Sequence, residues 1–128
     1  MIAYRLQDAS RDPADLLDPE QQYSFPMSNA DEEVRHGVSG CESLAALAAY
    51  IATHAIEMDV PALVMIEGPE SEDAPVDAAD GEVLLLPTLA EVIADDEAFF
   101  DLVSDLVDLH WERGLDCAAL RDVAAERI

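Results

Sequence analysis

Arg5, the run His36-Gly37-Val38-Ser39-Gly40 and Glu82 are the residues best suited to hold and polarise a ligand. An arginine grips phosphate or diphosphate oxygens through paired donors. A Gly-Val-Ser-Gly turn brings backbone N–H groups and a hydroxyl close to a ligand, and a glutamate opening a strand can orient a ribose hydroxyl. Each also has a plain structural reading: Arg5 pairs with any of the 29 acids, Gly37 and Gly40 shape a turn, and Glu82 is a surface carboxylate. A second set lies at helical spacing, because Glu97, Asp101, Asp105, Asp108 and Glu112 fall within an arc of roughly 80° at about 100° per residue. Such a row can imitate a phosphate row or dock on a basic protein, as an inhibitor, immunity protein or DNA mimic does. Its alternative is a solvated face of an acidic protein. His36 with Cys41 or Ser39 lacks a third orienting group for nucleophilic chemistry. Neither Asp108-Leu109-His110 nor Glu33-Val34-Arg35-His36 offers paired histidines or Cys-x-x-Cys spacing, so no metal site is expected.

The elements that must position these residues can be read from pattern. Ile2 to Leu6 alternates as a first strand. Residues 13 to 38 carry Pro13, Pro19 and Pro26 with little periodicity and read as a long loop, with one helical turn at Ala14 to Leu17 and with Tyr23 and Phe25 pinning it to the core. Ser43 is placed to cap a helix over 44–57, whose Leu44, Leu47, Ala48, Ile51 and Ala55 share one side. Pro61 to Glu67 and Glu82 to Pro87 read as buried strands, separated by a proline-containing acidic loop over 68–81. Leu89 to Ala94 fits an extended segment or a short helix. Asp95 or Asp96 is expected to cap a helix over 97–112 that buries Phe99, Leu102, Val103, Leu106 and His110 and stops at Gly114, and Asp116 to cap a last helix. The expectation is one domain over 1–128, α/β or α+β, with a small mixed sheet, a central helix and a C-terminal helical hairpin over 96–128.

Composition narrows the partners. Six basic residues, all arginine, stand against 29 acids, for a net charge of -23. Direct nucleic-acid binding and anionic membrane surfaces are disfavoured, since both need basic groups facing phosphates. The longest uncharged apolar runs fall short of the ~20 residues of a membrane helix. The N-terminus lacks the pattern of a secretory signal, so a cytoplasmic location is expected, with Cys41 and Cys117 as buried free thiols. A saline habitat, solubility or a basic partner would each account for the acidity.

The order Tyr4-Arg5-Leu6, then Arg35-His36-Gly37-Val38-Ser39 leading into Ser43-Leu44-Ala45-Ala46-Leu47, then Glu82-Val83-Leu84-Leu85-Leu86-Pro87 resembles the elements of ADP-ribosyltransferase-like domains over residues 2 to 90. It is also similar to small actinobacterial proteins of unknown function that share the Tyr-Arg, Gly-Val-Ser and Ser-Leu pattern. The resemblance implies NAD or a related nucleotide as ligand, with Arg5, His36, Gly37 and Ser39 as the cofactor-binding set. It implies Arg5 on the phosphates, Ser39 beside the nicotinamide ribose and Glu82 polarising that ribose, these three forming the catalytic set. The chain departs from that family in having no Ser-Thr-Ser triplet and, leading into the last strand, no Glu-x-Glu or Gln-x-Glu pair. An enzyme and a non-enzymatic protein that docks a basic partner through Glu97, Asp101, Asp105, Asp108 and Glu112 both stay open.

Overall fold

The computed structural model describes residues 1–24, 34–54, 56 and 58–128. The expected anchor Phe25, and Ala55 and Glu57 of the expected 44–57 helix, lie outside them. The chain folds as α+β. Strand β1 (Ile2–Asp8) is followed by short 3₁₀ turns at Pro13–Leu17 and Pro19–Gln21, then by β2 (Tyr23–Ser24), β3 (Arg35–His36) and β4 (Val38–Cys41). Helix α1 (Leu44–His54) leads to β5 (Pro61–Glu67), a 3₁₀ turn at Ala78–Asp80, β6 (Glu82–Leu85) and β7 (Leu89–Val92). Helices α2 (Glu97–Arg113) and α3 (Cys117–Arg127) close the chain.

The main sheet has the order β6-β4-β1-β5-β7 with every pair antiparallel. β4 and β5 therefore run parallel to each other on either side of β1, and α1 carries the chain across from one to the other. The two edge strands, β6 and β7, are joined only by residues 86–88. Such a link spans at most about 14 Å, whereas the edges of a flat five-stranded sheet stand roughly 19 Å apart at ~4.8 Å per strand. The sheet therefore curls. Leu86 N donates to Pro69 O and Thr88 N to Glu67 O, so the link runs against the continuation of β5. The crossing requires glycine at position 68, where a Cβ would lie 2.2 Å from the Leu86 carbonyl oxygen.

Strand alternation sorts the core into two layers. Ala3, Val38, Val64, Ile66 and Leu85 line the inner side, plugged by Leu16. Buried Gln22 holds that plug, donating from Nε2 to the carbonyls of Leu16 and Pro87 at 2.9 and 3.1 Å. Tyr4, Leu6, Cys41 and Leu63 face outward onto the helices. Helix α1 is buried nearly all round, through Ala45, Ala46, Leu47, Ala48, Ala49, Ile51 and Ala52, and its small side chains let α2 and α3 approach closely.

Several local expectations need correction. Residues 13–38 are not one loop: they hold two 3₁₀ turns, the β2–β3 ribbon and the start of β4. Beyond the bend at Gly37, Val38–Cys41 is a strand in register with β6 rather than part of a turn, with Val38 and Cys41 buried on opposite faces of the sheet. Of the two alternatives for Leu89 to Ala94 the extended one holds, as the strand Leu89–Val92. Ser43 Oγ accepts from Ala46 N, and Asp116 caps α3 through Ala119 N. Asp96 occupies the N-cap position of α2 without a side-chain capping bond.

Candidate functional site

β4 and β6 pair with Cys41 opposite Glu82 and Ser39 opposite Leu84. Ser39 and Glu82 thus lie diagonally on one face, and Ser39 Oγ donates to Glu82 Oε2 at 2.5 Å. The other carboxylate oxygen, Oε1, accepts from Asp77 N at 2.9 Å. Burial pushes the Cys41 thiol up to about 12, with the Glu82 charge adding to the effect. A thiol so displaced is a packed core group rather than a nucleophile.

Arg5 sits on the neighbouring strand β1 but its side chain is directed to the other face, the one it shares with Ala3. Its Nη1 donates to the Ser39 carbonyl at 3.0 Å, and its Nε is buried with no acceptor. Burial, with Arg11 nearby, lowers its pKa to about 10. No carboxylate lies within ion-pair distance of Arg5 among the described residues. The plain expectation that it pairs with an acid is thus not met there.

His36 and Gly37 belong to the junction between the β2–β3 ribbon and β4. The backbone N–H of His36 donates to Asp73 Oδ2 at 2.7 Å and its carbonyl accepts from Ser71 Oγ, while its ring lies 5.1 Å from that of Tyr23. Gly37 N donates to Gln22 O and Gly37 O accepts from Ser24 Oγ, both at 2.7 Å. Their backbone donors are therefore engaged within the fold. The structure brings Ser39 and Glu82 side chain to side chain, joins Arg5 to them only through a backbone carbonyl, and sets His36 and Gly37 apart.

The second candidate set is arranged differently. All of Glu97, Asp101, Asp105, Asp108 and Glu112 are exposed, along the side of α2 away from buried Phe99, Leu102 and Leu106. One is paired: Arg127 Nη1 donates to Asp105 Oδ2 at 2.7 Å. The side chains of the other four accept no hydrogen bond from the described residues. Beside them stands Trp111, which pattern reading did not single out and which is 78% exposed. At about 100° per residue it lies roughly 60° round the helix from Asp108. Its neighbour His110 is half-buried and anchors the helix end through Nδ1 to the Leu115 carbonyl at 2.7 Å. The signal for Trp111 was in the sequence: it falls off the apolar stripe that runs from Phe99 to Leu106.

Comparison of the chain with known protein families, with curated proteins and with solved structures found no match. No helix among the described residues is long and apolar enough to cross a membrane.

Proposed function

We propose that the protein is a non-enzymatic interaction module that docks a basic protein surface on the outer side of α2. The observation that carries this reading is the pairing of an exposed carboxylate row with a 78% exposed tryptophan on one helix. An amphipathic ring of that size is enriched at contact centres, and surrounding charges steer the encounter. Like charges at i,i+4 cost stability, about 0.2 to 0.5 kcal/mol per pair. A basic partner would remove that cost.

Trp111 is the single tryptophan of the chain, so its fluorescence reports on this face. Titration with poly-arginine should quench or shift it, with an affinity that falls steeply as salt rises. The triple variant Asp101→Asn/Asp108→Asn/Glu112→Gln should lose most of the response. A control of equal charge elsewhere, Glu20→Gln/Glu70→Gln/Glu72→Gln, should keep it. Equal loss in both variants would mean that net charge alone acts, and would overturn the reading.

A second reading, an ADP-ribosyltransferase-like domain that binds NAD or a related nucleotide, is favoured by the Ser39–Glu82 hydrogen bond between neighbouring strands. It requires Arg5 and Glu82 to serve one ligand. Calorimetry with NAD on the native chain and on Arg5→Ala tests it: heat that the variant abolishes supports it, and no heat with the native chain removes it.

A further inference from the structure

At the C-terminal end of α1, side chains far apart in sequence converge. His54, Asp77 and Asp80 each offer one ligand atom, and these atoms all lie within 4.8 Å of one another. His54 Nε2 is 3.2 Å from Asp80 Oδ2. Donor atoms around a tetrahedral zinc ion, with bonds of about 2.0 to 2.2 Å, stand roughly 3.3 Å apart. That pair is therefore already at coordination spacing, and the Asp77 oxygen lies within 4.8 Å of both.

Local structure explains the convergence. Asp77 caps and Asp80 ends the 3₁₀ turn Ala78–Asp80, in which side chains at i and i+3 eclipse, so the two carboxylates face the same way. His54 is the last residue of α1 and exposed. One tyrosine orients two of the three groups. Tyr50 Oη donates to Asp77 Oδ2 at 2.7 Å, and its ring stacks on the His54 imidazole at 4.1 Å with an interplanar angle of 22°. Asp77 is further fixed through its backbone N–H to Glu82. Such outer contacts are what hold ligands in place at metal sites. Arg121 is close by, but it donates to the Ala79 carbonyl, and no arginine pairs with Asp77 or Asp80 among the described residues.

We infer that His54, Asp77 and Asp80 form a site for a first-row divalent cation, held by one imidazole and two carboxylates and oriented by Tyr50. Imidazole with carboxylate suits zinc and its neighbours better than magnesium or calcium. Bound there, the ion would tie the connection between β5 and β6 to α1.

The test uses the full chain stripped with chelator. Titration with Zn²⁺ by calorimetry should show one ion per chain, and Co²⁺ should give visible d–d absorption. His54→Gln and Asp80→Asn should each weaken Zn²⁺ binding by more than about tenfold, and Tyr50→Phe, which leaves all three ligands in place, by about tenfold. Glu20→Gln, an exposed acid outside both proposed sites, should leave Zn²⁺ binding unchanged, and circular dichroism verifies that each variant folds. Absence of a one-to-one event, or weak multiple binding indifferent to His54→Gln and Tyr50→Phe, would mean that cations merely gather on the acidic surface, and would overturn the inference.

Discussion

Glu82 and Asp101 carry the same kind of group in opposite circumstances. Glu82, half-buried at the head of β6, accepts from Ser39 Oγ with one oxygen and from Asp77 N with the other. Asp101 stands exposed on α2, its side chain accepting from nothing among the described residues, with like charges four residues away on either side. The first carboxylate organises the fold around it. The second has no donor among the described residues, and its like-charged neighbours weaken its own helix slightly. Where acids are abundant, the useful question is which of them already have donors.

The β4–β6 region should be the sensitive one, and substitutions rank accordingly. Gly37 leads into β4 with φ of 129°, and a Cβ there would lie 2.9 Å from Leu84 Cβ and 3.0 Å from Ser71 Cβ. Gly37→Ala should therefore cost about 3 kcal/mol in urea unfolding, from strain and contact together. Glu82→Ala strands the donors of Ser39 and Asp77 and should cost about 2 kcal/mol, with Glu82→Gln near half that. A loss below about 0.5 kcal/mol would erase the contrast with α2. In that helix, Asp101→Asn should raise stability by about 0.5 kcal/mol, through relief of repulsion with Glu97 and Asp105. Arg127→Ala removes the exposed pair with Asp105 and should cost about 0.5 kcal/mol or less, a difference that salt abolishes.

No loss at neutral pH is expected from the titration of Cys41. Its folded pKa, about 12, lies above the ordinary thiol value, so the folded state binds the proton more tightly than the unfolded chain does. That contribution is fully present below about pH 8.5 and is lost as pH rises towards 12. Alkaline unfolding curves of native protein and Cys41→Ala should diverge across that window, and the native thiol should react slowly with an alkylating reagent at pH 8.

Local signals carried much of this architecture. The serine before Leu44, the aspartate before Cys117 and the 3.6-residue stripe from Phe99 to Leu106 each act within a few residues, and the corresponding helices stand close to the expected places. The segment Gly37 to Gly40 suggests a turn because its glycines outweigh a short alternation; what makes Val38–Cys41 a strand is pairing with β6, more than forty residues on. The site was less legible for the same reason. That Arg5 turns away from Ser39 and Glu82 follows from which face Ala3 buries, and that Tyr50 and His54 meet Asp77 and Asp80 follows from the path of the β5–β6 connection. Neither leaves a trace in local spacing.

β1 is the middle strand of the sheet although it precedes every other strand in the sequence. On a ribosome, the segment Ile2–Asp8 leaves the exit tunnel long before Pro61–Glu67, against which all seven of its residues pair. Both of its hydrogen-bonding sides then await partners, and an unpaired strand of this kind invites association with other chains. A protein built in this order gains from a large like charge, because emerging copies repel one another before the sheet exists to hide its edges.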